Sequence, residues 1–182
     1  MRSLIRWCLL GTFLLPTASA RIGSAPIEQL IAYSDAIVVA KVSELLPTST
    51  SEKDLVYATA SIQRTLKGSL ADSFMFRASS GWICDTSGAV KDETALFFLG
   101  RGDDGTFYIQ WAGRGRMPLR EANGKTYVTL WDNVVLPKDA PTIAGPDPRY
   151  GFIKSIELSY VEGLIRQQLR VKAHTEDASL AD

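Results

Sequence analysis

Two residue types that carry much of protein chemistry are nearly missing from this chain. Its 182 residues hold one histidine, His174, and two cysteines, Cys8 and Cys84. A zinc site needs several His or Cys ligands, so no metal is expected. A nucleophile with a base needs Cys or Ser beside His. Cys84 and His174 would be that pair, but His174 lies in a polar tail, and a structural thiol with an idle histidine is the plainer reading. No surplus of positive charge exists either, with 20 Lys and Arg against 20 Asp and Glu. Nucleic-acid or anionic-membrane binding needs clustered cations, so no nucleic-acid partner is expected. Past the first residues, no run approaches the roughly 20 apolar residues of a membrane span.

What is present begins with an address. Arg2 and Arg6 precede an apolar run, Trp7 to Leu15, and then Pro16 to Ala20, which ends A-x-A. That is the pattern of a secretory signal peptide over residues 1–20. Cleavage after Ala20 is expected, sending the chain to the periplasm or extracellular space with no stable membrane insertion. Removing Arg2 and Arg6 takes the 20 basic residues to 18 against 20 acidic, a formal charge of −2. Cys8 leaves as well. Cys84 is then alone, as a buried thiol, a disulfide-linked dimer contact or a reactive thiol. About 162 residues remain, enough for one core without disulfide staples.

The densest β-branched stretch is Asp35 to Leu46, DAIVVAKVSELL. It reads as a strand buried on both faces at its start and on one face at its end. Before it, Ile27, Leu30 and Ile31 sit at helical spacing, with Ser24 as cap and Pro26 in the first turn. After it, Val56, Ala58, Ala60, Ile62 and Leu66 alternate with polar residues, which predicts a half-wet strand. Phe74, Phe76 and Ala78 alternate again. Glu93 to Leu99 (ETALFFL) is a nearly all-apolar strand. Thr106 to Ala112 places Phe107, Ile109 and Trp111 on one side. Asp104-Gly105 and Asn123-Gly124 are two-residue hairpin signals.

Four prolines between Val134 and Pro148 predict a linker over residues 136–149. Asp147-Pro148 then predicts a helix start, with apolar spacing from Phe152 to Leu169. The expected organisation is a barrel over residues 21–135, that linker, a helix over 150–172 packed on the barrel, and a disordered tail over 173–182. About six or seven short strands with tight turns predict a mainly β fold, a small antiparallel barrel with a short N-terminal helix and one C-terminal helix.

The order of short marks resembles a family. Asp35, Ala36, Val38, Val39, Lys41 and Val42 are followed by Leu66-Lys67-Gly68, then Cys84, then Leu96 to Leu99. This is similar to bacterial exported proteins whose fold resembles the tissue inhibitors of metalloproteinases. The resemblance covers about Ile27 to Gly100 and implies an OB-like (TIMP-like, netrin-like) barrel. The inhibitors start, after their leader, with a disulfide-locked cysteine that meets the protease zinc. Here the mature chain starts Arg21-Ile22-Gly23 and has no second cysteine, so the resemblance does not carry protease inhibition.

No catalytic constellation stands out. Among carboxylates, Glu44, Asp85, Asp92 and Glu93 exist, but their spacing selects no glycosidase pair. Asp103 and Asp104 lack EF-hand spacing. Gly113-Arg114-Gly115-Arg116 lacks the third glycine of a dinucleotide loop, and no cofactor is expected. Tyr57, Trp82, Tyr108, Tyr127 and Trp131 lie on or beside strands, where OB-like barrels display binding aromatics. Trp111 and Trp131 equally suit a core. The expected function is a non-catalytic exported binding module for an extracytoplasmic protein or polymer. Its candidate site residues are Trp82, Cys84, Arg114, Arg116 and Arg120. The alternative is an enzyme using Cys84 or a carboxylate pair.

Overall fold

The structure, a computed structural model, describes residues 23–47, 55–80 and 87–179. The expected signal peptide (1–20), Trp82 and Cys84 lie outside the described residues. In chain order the elements are β1 (Ala25–Pro26), α1 (Ile27–Tyr33), β2 (Ala36–Pro47), β3 (Leu55–Lys67), β4 (Ser73–Ser80), β5 (Thr94–Arg101), β6 (Phe107–Ile109), β7 (Arg116–Ala122), β8 (Lys125–Leu130), β9 (Val134–Val135), β10 (Thr142–Asp147), β11 (Gly151–Glu157) and α2 (Leu158–Ser179). The protein is mainly β.

Five strands close a barrel in the order β5-β2-β3-β4-β6, with β6 returning to β5. The closure is not wholly antiparallel: β4 and β6 run parallel through Phe76 and Phe107. Small residues on β2 and β3 (Ala40, Ala58, Ala60) share the interior with Phe74, Phe76 and Phe97. Phe76 and Phe97 meet edge to face with centroids 5.3 Å apart, and Phe74 meets Phe97 at 5.7 Å. Small and large side chains must alternate in this way to fill a narrow barrel. Each buried ring contributes roughly 1.5–3 kcal/mol.

β2 and β5 are buried on both faces because each serves two cores. Val38, Ala40, Ala95 and Phe97 point into the barrel. Ile37, Val39, Leu96 and Phe98 point outward, against Met117, Val128, Ile156 and the apolar stripes of α1 and α2. Burial on two faces explains why both strands read as near-continuous apolar runs. β3 does not keep one parity. Register shifts against β2 let Ala58 and Ala60 face the barrel while Leu66 joins the outer core. A bulge of this kind inserts one residue and turns the following side chains over.

β7, β8, β11 and β10 extend the sheet beyond β5. Asn123-Gly124 makes the β7–β8 turn, with φ of 51° and 71°, as a two-residue hairpin turn requires. The largest difference from expectation follows. The expected proline-rich linker (136–149) and the first residues of the expected helix (150–172) form a hairpin, β10–β11. Asp147 Oδ1 accepts the backbone N–H of Arg149 (2.9 Å) and of Tyr150 (3.0 Å), and Gly151 takes φ 74°. Asp followed by Pro caps a helix or opens a tight turn with the same hydrogen bonds. Here β11 pairs with β8, and that pairing selects the turn. α2 therefore starts at Leu158 and runs through 173–179, part of the expected tail. Four extra strands (β1, β9, β10, β11) take the count above six or seven. α1 differs in detail: its N-cap is Pro26, with no side-chain cap.

The marks Asp35, Lys67 and Gly68 meet at one corner. Lys67 Nζ donates to the carbonyls of Ile31 (2.7 Å) and Ala32 (3.1 Å) at the end of α1. Cations suit that helix end. Desolvation, then the charge of Lys172, lowers the Lys67 pKa. Asp35 Oδ2 accepts the Arg101 N–H at 2.7 Å, and Asp35 N–H donates to Leu99 O at 2.8 Å. Gly68, at φ 78°, passes so close that an added Cβ would stand 2.4 Å from Asp35 O.

Candidate functional site

A broad concavity opens where the sheet splits. β5 and β7 pair only through Ala95–Pro118, Leu96–Met117 and Phe97–Arg116. Beyond Pro118, β7 pairs among the described residues with β8 alone, from Leu119 to Ala122. The two strands part, and a cleft of about 750 Å³ lies between Asp92–Thr94, Pro118–Glu121 and the β10–β11 turn at Asp147–Tyr150. Gln63 and Arg64 of β3 and Leu158 of α2 complete its walls.

A buried ion pair holds the cleft at its base. Glu93 and Arg116 bond to each other with side chains 3% and 4% exposed. Such a pair needs further hydrogen bonds to survive burial. Tyr150 supplies one: its hydroxyl donates to Glu93 Oε2 at 2.9 Å. Arg149 stands 3.7 Å from the same carboxylate. Trp131 lies under the group, with Nε1 donating to Arg116 O at 2.6 Å and its ring edge-on to Tyr150. The β10–β11 turn is thereby tied to the start of β5. Through the Tyr150 hydroxyl the turn donates to a buried acceptor, the Glu93 carboxylate.

Burial, then the charge of Glu93, raises the Tyr150 pKa above its ordinary value. An acid with a raised folded pKa contributes stability that is full below its unfolded pKa and is lost as pH rises through the folded value. The ordinary tyrosine value is about 10. Urea midpoints measured from about pH 9 to pH 11 are therefore expected to fall more steeply for the wild type than for Tyr150→Phe. Parallel curves would show that Tyr150 titrates alike in both states.

The cleft's charges are mostly answered within the chain. Arg64 bonds to Glu162, Asp92 to Lys41 (3.0 Å), and Glu121 accepts the Thr126 hydroxyl (2.6 Å). Asp147 holds its two backbone donors. Arg120 differs. Its guanidinium stacks over Tyr127 at 5.8 Å, and it has no carboxylate partner among the described residues. Its Nε–H is out of contact with water and donates to no acceptor among the described residues.

Of the candidate residues, Trp82 and Cys84 lie outside the described residues. Arg114 is held at a turn, donating to Asn133 Oδ1 (3.2 Å) and Ala112 O (2.9 Å), and does not line the cleft. Arg116 is buried, and the acid it meets is Glu93 of its own chain. Arg120 lines the cleft. Of the carboxylates, Glu93 is buried, Glu44 and Asp92 are exposed, and Asp85 lies outside the described residues. Glu93, Arg149 and Tyr150 were not singled out together by sequence. The signal for Glu93 was its parity: it shares a face with Ala95 and Phe97, so it points inward. Trp111 stacks on Tyr33 (6.4 Å) beside the outer core, not on the face of Phe107 and Ile109. The left-handed turn at Trp111 and Ala112 redirects it.

Among the described residues, no group of three His, Cys, Asp or Glu side chains is placed to hold a metal. No described helix is long and apolar enough to cross a membrane. No protein-family model matches the chain, and no curated protein matches it significantly.

Proposed function

We propose that the chain is an exported, non-catalytic binding module on an OB-like barrel similar to that of the tissue inhibitors of metalloproteinases, and that it binds an extracytoplasmic partner in the split between β5 and β7. The observation that carries this reading is the cleft with its braced base. A concavity of about 750 Å³ falls in the size range of binding sites, which are largely formed before the ligand arrives. The Glu93–Arg116–Tyr150 network braces the cleft on two sides, as a structural support does. The five-strand closure and the leader pattern agree with the barrel and with export.

Photo-crosslinking in cells that make the protein tests the location. p-Benzoylphenylalanine replaces Gln63, exposed at the cleft wall, or Met75, exposed on the outer face of β4. A discrete adduct is expected from position 63 and not from 75. Adducts from 75 alone, or the same adducts from both, would place binding elsewhere.

A further inference from the structure

We propose that the cleft takes an extended, acidic segment of a partner polypeptide, with one carboxylate of that segment on Arg120; this deepens the cleft reading and rests on it. Two independent features point to that occupant.

The first is backbone. From Leu119 to Ala122, β7 is bonded to β8 on one side, and no strand pairs with its other side among the described residues. On that side lies the cleft. An unpaired strand edge is a template for an added strand, and main-chain hydrogen bonds are how extended peptides dock on sheets. The edge here is recessed between two strands, so a single narrow segment fits where a whole sheet would not.

The second is charge. Every carboxylate on the cleft wall has a donor within the chain: Lys41 for Asp92, Arg116 and Tyr150 for Glu93, the Thr126 hydroxyl for Glu121 and two N–H groups for Asp147. Arg120 has an aromatic neighbour and, among the described residues, no acid, so its charge is the one on the cleft wall that a partner's carboxylate could answer. A guanidinium without an acid takes a carboxylate through charge-assisted hydrogen bonds, which are stronger than neutral ones. Val39, Pro118, Leu119 and Leu158 supply apolar wall for the flanking residues of the segment.

Two blocked peptides test this on the isotopically labelled protein: acetyl-Thr-Val-Glu-Val-Thr-amide and its Gln counterpart. Blocked ends leave the Glu side chain as the only charge. Backbone amide shifts at Leu119 to Glu121 and at Glu93 and Thr94 report the site. The Glu peptide is expected to shift them with an affinity about tenfold above the Gln peptide, and Arg120→Gln is expected to remove that preference. Arg120→Lys keeps the charge without the fork and controls for folding; it is expected to retain part of the preference. Equal shifts from both peptides would overturn the carboxylate and leave the cleft standing as a site. No shift from either would overturn the peptide, while the crosslinking from position 63 still judges the cleft. Trigalacturonate shifting these amides in place of the peptides would make the partner an acidic polysaccharide and overturn the polypeptide.

Discussion

A Gly68→Ala protein is expected to lose about 3–5 kcal/mol, a large share of the margin of a domain this size. The new Cβ would meet Asp35 O at 2.4 Å and Ala36 Cα at 3.2 Å, and both are backbone atoms. Neither can withdraw. Asp35 is bonded to Leu99 O through its N–H and to the Arg101 N–H through its carboxylate. The left-handed φ of 78° adds its own cost. Gly105 separates the two effects. It has φ 80° and nothing within 4 Å of an added Cβ, so Gly105→Ala is expected to cost only the roughly 1–2 kcal/mol of the left-handed conformation. Urea midpoints at unchanged slope measure both. Similar losses at the two positions would mean that the corner gives way more readily than its bonds imply.

Removing the Glu93 carboxylate should be nearly as severe. Glu93→Ala leaves the Arg116 guanidinium buried without its anion, and breaking a buried pair from one side costs about 3–5 kcal/mol. It also strips Tyr150 of its acceptor and frees the β10–β11 turn from β5. Amide exchange in residues 147–151 is therefore expected to rise along with the global loss. The double change Glu93→Leu with Arg116→Met replaces the pair by apolar groups and is expected to recover most of the stability. Arg149→Ala touches the same carboxylate from a half-exposed position and is expected to cost less than about 1 kcal/mol. A Glu93→Ala protein as stable as Arg149→Ala would show that water reaches Arg116 and replaces the carboxylate.

These two residues stand on opposite sides of what sequence could reveal. Gly68 was visible as part of Leu66-Lys67-Gly68, a strand end with a turn residue. That a second chain segment crosses 2.4 Å from its missing Cβ was not visible, because Asp35 is far away in sequence and only the β2–β3 pairing brings it there. Glu93 was visible as one carboxylate among several. Its importance comes from Arg116 and Tyr150, which two further turns of chain deliver to it.

What the sequence determined by itself was local and periodic. Apolar residues at every second position placed β3 and β4, since side chains of a strand alternate between faces. Apolar runs marked β2 as buried on both faces at its start and β5 as nearly all-apolar; that the two strands serve two cores came from the structure. Asn123-Gly124 set a hairpin because its backbone must enter the left-handed region twice. What only the tertiary structure decided were the choices between locally equal alternatives. Asp147-Pro148 suits a helix start and a hairpin turn alike, and pairing of β11 with β8 settled it. The parity of Leu66 depended on a bulge set by β2. Arg116 and Arg120 sit on the same face, two turns of the pleat apart in character: one met a buried acid across the sheet, and the other came to rest where the sheet splits. Charge pairing over long sequence distances has no periodicity to read, and that is why the cleft emerged only once the strands were in place.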